Sequence, residues 1–219
     1  MPGGGTRPRV REPDVTRGKL LHAAFEEIYR RGFQAASLDT ILARAGVTKG
    51  ALYHHFPDKA ALGQAVVDEV VTAPLLEAWV GRLERSPADR LTAIQDVVRR
   101  RAEDFESIGI DFGCPLNNLA QEMSPIDEAF RRKLAGLIGR WTDAFAAALR
   151  RGQEEGSVRR DVDAGSIAAF LVAAVEGSFG MAKNARSVDL LRSDLEVLAG
   201  FLETLRPAAP LGAEAPAGG

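Results

Sequence analysis

Apolar residues recur every three or four positions along nearly the whole chain, and a strict alternation is rare. That period belongs to helices. Leu20, Leu21, Ala24, Phe25, Ile28 and Tyr29 mark a first helix from Thr16 to Arg31, with Thr16 as its cap. Gly32 stops it, Phe33 closes over a small core, and His22 falls on the surface. Ser37 then caps a short helix whose stripe is Ile41, Leu42 and Ala45, and Asp39 suits the positive end of its dipole. Gly46 supplies a left-handed turn. Val47 fills the corner, and Thr48 caps a second short helix from Lys49 to about His55. A longer helix follows from Asp58 to about Val80, with Leu62, Ala65, Val66, Glu69, Val70 and Ala73 on its inner face. Pro74 is expected to kink or break it.

The second half repeats the pattern. Ser86-Pro87 reads as a cap and first position for a helix to about Ser107, with Leu91, Ile94, Val97 and Val98 inside. Arg99, Arg100 and Arg101 read as a solvated face. Leu116 to Met123 forms a short helix behind Pro115. Ser124-Pro125-Ile126-Asp127 opens the longest helix, to about Arg151, lined by Phe130, Leu134, Leu137, Ile138, Trp141, Phe145 and Leu149. Helices from Ala164 to Ala182 and from Ser187 to about Leu205 end the pattern. The fold class is all-α. Apolar runs such as Ile167 to Val175 are short for a bilayer, so no membrane partner is expected.

Composition changes the picture in two places. The chain has 219 residues and a net charge of −2. Up to Gly63, however, it holds 10 Lys and Arg against 6 Asp and Glu. A local basic excess is what phosphate neutralisation needs. The one cysteine, Cys114, has no partner for a disulfide. With no signal peptide visible, this suits a reducing cytoplasm.

The two short helices around Gly46 have the spacing of a helix-turn-helix, whose second helix reads the major groove. Lys49, Tyr53, His54 and His55 crowd that element. Gly50, in its first turn, costs about 1 kcal/mol relative to alanine. Close approach of backbone to DNA is a reason to accept that cost. Lys59, with the free N–H groups of the next helix, suggests a phosphate clamp. His54 and His55 diverge on the helix, and no cysteine or carboxylate stands at ligand spacing, so no metal site is expected.

The string AGVTKGALYHHFPDKAAL resembles the DNA-binding signature of the tetracycline-repressor (TetR) family of one-component transcriptional regulators. The resemblance covers Arg17 to Leu62. It implies an N-terminal three-helix DNA-binding domain and a C-terminal helical bundle for ligand binding and dimerisation. It assigns base reading to Thr48, Lys49, Ala51 and Leu52, with His54, and phosphate contacts to Ser37, Tyr53, His55 and Lys59, with Arg44. Gly50 belongs to the same interface. Residues 1–15 then form a disordered arm, where Arg7, Arg9 and Arg11 either trail along DNA or are simply solvated. Residues 16–63 form the DNA-binding domain, 64–206 the effector and dimerisation domain, and 207–219 a tail.

The implied partners are double-stranded operator DNA, a small-molecule effector and a second copy of the chain. Dimerisation is expected through helices at about 164–182 and 188–205, as a four-helix interface. The helix spanning 164–182 is apolar on one side and small on the other, with Ala168, Ala169, Ala173 and Gly177, so both sides are expected to pack. The segment Gly113-Cys114-Pro115-Leu116-Asn117-Asn118 is similar to one found after this point in some TetR-like regulators, which places a pocket wall here. Candidate effector residues are Phe105, Cys114, Asn117, Asn118, Trp141, Phe145 and Phe170. Asn117 and Asn118 either meet an effector or cross-link helices. Cys114 is either packing or a thiol sensor at a helix start. No phosphate loop, nucleophile elbow or paired carboxylates are visible, so neither enzyme activity nor a cofactor is expected. A helical binding module without an effector is the remaining alternative.

Overall fold

A computed structural model describes residues 12–208. Arg7, Arg9, Arg11 and most of the expected tail lie outside that range. The described residues fold into helices and turns, without strands, as expected. They are α1 (Glu12–Arg31), α2 (Leu38–Ala45), α3 (Lys49–His55), α4 (Lys59–Val66), α5 (Thr72–Leu76), α6 (Arg82–Arg85), α7 (Arg90–Ile108), α8 (Pro115–Met123), α9 (Glu128–Glu155), α10 (Ala164–Ala185) and α11 (Val188–Glu203). Two π-helical turns, Val67–Val71 and Glu77–Gly81, join α4 to α5 and α5 to α6.

Several boundaries moved for local reasons. α1 begins at Glu12, so Thr16 sits inside the helix and is not its cap. Asp89, not Ser86, caps α7: its carboxylate accepts from the N–H groups of Leu91 and Thr92, both at 3.1 Å. Asp127, not Ser124, caps α9, accepting from Phe130 N–H at 2.9 Å. In both cases a charged acceptor nearer the helix displaces a serine. Pro74 does not break its helix. Backbone there stays helical from Lys59 to Arg85, and the wide turn Val67–Val71 just before Pro74 accommodates the missing donor. Each wide turn adds a residue, so the inner face slips. Its buried positions run Leu62, Val66, Val71, Leu75 and Trp79, while Glu69 and Ala73 are exposed.

The chain packs as two compact units, and they do not follow the division at Gly63. The first comprises the described part of Met1–Leu76 with Phe112–Ile138. In it α1 packs on α2, α3 and α4. Leu20, Ala24, Ile41, Leu52, Phe56 and Leu62 form its core. Phe33 meets Phe130 with ring centroids 4.8 Å apart, and a Cβ on Gly63 would collide with both rings.

The second unit comprises Glu77–Asp111 and the described part of Gly139–Gly219. α11 packs on both α7 and α10. Leu91, Ile94, Phe105, Leu171, Val175, Phe179, Leu195 and Leu202 are buried in it. The buried Gln95 donates to Ala199 O at 2.9 Å and to Glu203 at 3.0 Å, tying α7 to α11. At 22 residues, α10 is long and apolar enough, by length and composition alone, to cross a membrane, which the short-run count missed. One side of it, Leu171, Val175 and Phe179, is core; its other side carries exposed Ala169, Phe170, Ala173, Gly177 and Met181.

Candidate nucleic-acid interface

Two small helices and a tight corner build the reading head. The Ser37 hydroxyl accepts from Thr40 N–H at 3.3 Å and starts α2. Gly46 ends it in the left-handed conformation, φ +66°, with its N–H turned back to the carbonyls of α2. No residue with a Cβ takes that angle cheaply. Thr48 starts α3 two residues later, its hydroxyl accepting from Ala51 N–H at 3.2 Å.

α3 then divides by burial. Leu52 is 1% exposed and Phe56 3%, so both anchor the helix in the core. Thr48, Lys49, Gly50, Tyr53 and His54 are exposed, and Ala51 and His55 are half-buried. Lys49 Nζ stands 6.0 Å from the centre of the Tyr53 ring, one turn on. His54 and His55 meet edge-on at 5.2 Å, and His55 leans 6.3 Å from Phe56.

Leu52 is therefore a correction: a side chain sealed in the core cannot meet a base edge. Lys59 is a second. Its ammonium donates to Gln34 O at 3.0 Å and lies 5.0 Å from the centre of Phe33. Burial pulls its pKa below the usual lysine value, against the opposing pull of Glu122. The N–H groups beside it do not form an anion site, because Asp58 caps α4 by accepting from Ala61 N–H at 2.7 Å. Arg44, also expected to contact phosphate, is ion-paired with Glu26.

Gly50 has a meaning the sequence only suggested. A Cβ built on it meets nothing nearer than Thr48 Oγ1, 3.9 Å away. No neighbour among the described residues requires a glycine there.

One anchor of the head was missed. Glu122 on α8 accepts from two successive backbone N–H groups, Phe33 and Gln34, both at 2.8 Å. Nearby, Tyr29 donates to Gly113 O at 2.6 Å. These bonds fasten 112–123 to the turn before α2. No local pattern announces a contact 89 residues apart. Glu122→Ala leaves both N–H groups without their charged acceptor. We expect urea unfolding to show a loss of about 1.5–3 kcal/mol, with a smaller loss in Glu122→Gln, which keeps one carbonyl oxygen.

The effector candidates separate. Asn117, Asn118 and Cys114 fall in the first unit, while Phe105, Trp141, Phe145 and Phe170 fall in the second. Asn118 donates to Phe112 O at 2.6 Å, bracing the loop before α8. Cys114 is buried at the start of α8 and makes no capping bond. Trp141 and Phe145 are fully buried and meet at 6.0 Å, and Phe105 is buried 4.9 Å from Phe179. Phe170 is the exception at 51% exposed; it faces outward against Phe201, 5.4 Å away, and lines no interior. That outward face was legible only as a small and apolar stripe.

A glycine-cornered helix pair with a polar, basic and aromatic outer face defines a helix-turn-helix DNA-binding protein. Residues 20–66 match the family of bacterial regulatory proteins called tetR, and residues 87–196 match the tetracycline repressor-like C-terminal domain. The transcriptional regulator AcuR of Cereibacter sphaeroides is 30% identical over 85% of this chain and 85% of its own. The transcriptional repressor DhaR of a Mycobacterium strain is 28% identical over 83% of this chain and 89% of its own. The TetR-family regulator CifR, solved as a cysteine mutant with a 26 bp operator duplex, shares the fold with a TM-score of 0.72. It is 23% identical, over 89% of this chain and 98% of that one. This chain belongs to the TetR family of transcriptional regulators, which act by binding DNA and are not enzymes.

Proposed function

We propose that the protein is a repressor that grips a palindromic operator as a dimer and lets go when a small molecule binds its C-terminal helices. The observation that carries this reading is the outer face of α3. Thr48, Lys49, Gly50, Tyr53 and His54 stand clear of the core at the corner of a helix-turn-helix. Thr48, Lys49 and Ala51, with His54, take the base edges; Ser37, Tyr53 and His55 take phosphates. Arg44 and Lys59 join them only on leaving Glu26 and Gln34. DhaR is a repressor, and CifR is seen on operator DNA; both support carrying the role to this chain.

A dimer is the natural complement. One seven-residue helix covers few base pairs, whereas two related by a dyad read both half-sites. The exposed Ala169, Phe170, Ala173, Gly177 and Met181 on α10, beside Val197 and Phe201 on α11, supply the apolar surface for it. An effector that favours a wider spacing of the two heads by roughly 1–3 kcal/mol is enough for a switch. Residues 16–63 then serve DNA and 64–206 serve the effector and the partner subunit, in the cytoplasm where the DNA is.

Genomic fragments retained by the pure protein test this directly. They should share an inverted repeat with half-sites about one helical turn apart. Affinity for that repeat should fall steeply with salt. Equal retention of all fragments would leave an unspecific DNA binder in place of a regulator.

A further inference from the structure

The second unit holds an aromatic cluster with polar atoms it does not satisfy. Trp79 and Trp141 stack with centroids 4.3 Å apart and planes 26° from parallel. Phe145 stands edge-on to both, at 6.1 Å and 6.0 Å. The Arg101 guanidinium lies 5.2 Å from the centre of Trp79, 5.2 Å from Phe105 and 5.9 Å from Phe179. Its charge is only partly matched. Asp104 accepts from Arg101 at 2.6 Å, but also from both terminal nitrogens of Arg82, at 2.7 Å and 3.0 Å. No second carboxylate pairs with Arg101 among the described residues.

Among the described residues, two N–H groups in this cluster have no acceptor: Arg101 Nε and Trp141 Nε1. Trp141 is 0% exposed, and the Arg101 side chain 17%. A buried indole N–H ordinarily finds a partner, and an unmatched one costs about 1–3 kcal/mol. A third observation is independent of these. Trp79 sits in the π-helical turn Glu77–Gly81, and such turns occur frequently at functional sites. Packing alone does not call for an aromatic cluster with two idle donors, a shared carboxylate and a widened turn.

We propose that this cage is the effector subsite, and that it takes an aromatic carboxylic acid. The ligand's carboxylate accepts from Arg101 Nε and supplies the charge that Asp104 divides between two arginines. Its ring joins the Trp79–Trp141–Phe145 stack, where the Trp141 N–H is the other available donor. The extra residue in the Glu77–Gly81 turn gives Trp79 room to shift as the ring enters. This assignment rests on the effector-released reading above and adds the chemical class of the effector.

Trp79 and Trp141 are the two tryptophans in the chain, so intrinsic emission reports the site without labels. Full-length protein is titrated with benzoate, phenylacetate and cinnamate, and with neutral benzyl alcohol as the control. At least one acid should change the emission saturably below ~10 mM and bind at least about tenfold more tightly than the alcohol. Arg101→Met should weaken that acid about tenfold or more, and Arg101→Lys less. Trp141→Phe, which keeps an aromatic ring and removes the N–H, should weaken it too, and it serves where Arg101→Met does not fold. No saturable change with any acid overturns the assignment, as does binding that the variants leave unaltered. Operator binding is measured on the same samples. An intact operator complex with a silent cage sinks this inference alone; a responsive cage without operator binding sinks the regulator reading alone.

Discussion

Ala173→Arg should convert the protein from a dimer to a folded monomer and weaken operator binding by about 10²–10⁴-fold, the gain that linking two binding events supplies. Ala173 is exposed on α10, between Phe170 and Gly177 along the same face. A long cation there touches nothing in its own chain's core, so the helical circular dichroism and the cooperative melt should persist. Across the proposed dyad the same arginine would meet an apolar surface, with its copy from the partner subunit close by. The glycines of this face support the choice. A Cβ on Gly177 or Gly180 meets nothing within 4 Å among the described residues of its own chain. Nothing among the described residues of one subunit calls for these two helix-weakening glycines, and the close approach of a partner helix would. Sedimentation measures the outcome, and an Ala173→Arg protein that stays dimeric moves the interface elsewhere.

Gly50→Leu should separate stability from function. Leucine is the better helix former, so the variant gains up to about 1 kcal/mol in unfolding free energy. The space around a Cβ at this position is open, which removes the usual steric objection. Operator binding moves the opposite way. A bulky side chain on the outer face of α3 holds the helix away from the groove and costs its base contacts. Each good base contact is worth about 1–3 kcal/mol, and the dyad doubles the loss, for a fall of about 10²–10⁴-fold in affinity. Gel shifts beside thermal melts give both numbers. A Gly50→Leu protein that binds operator normally removes α3 from the groove.

Most of the reading head was legible in order along the chain. Ser37, Gly46 and Thr48 do their capping and turning through neighbours within four residues, so the sequence carries the whole instruction. The all-helical class followed from the 3.6-residue period for the same reason. Burial was less legible, because it depends on elements far apart in sequence. Leu52 looked like a reader by position in the motif, yet α1 and the rest of the small core enclose it. Lys59, expected at a phosphate, rests against Phe33 and Gln34. Phe170 looked like pocket lining, yet it faces outward.

Local chemistry thus determined the helices, the glycine corner and the polar outer face of α3, because each is settled within one or two turns of chain. Only the tertiary structure decided which polar atoms found partners. Glu122 reaches a turn 89 residues away. Arg101, a solvated charge by pattern, lies instead among Trp79, Phe105 and Phe179. The slip of the inner face from Val70 to Val71 needs the π-helical turn Val67–Val71 before Pro74, which shifts the phase of the helix and which no 3.6-residue count reveals.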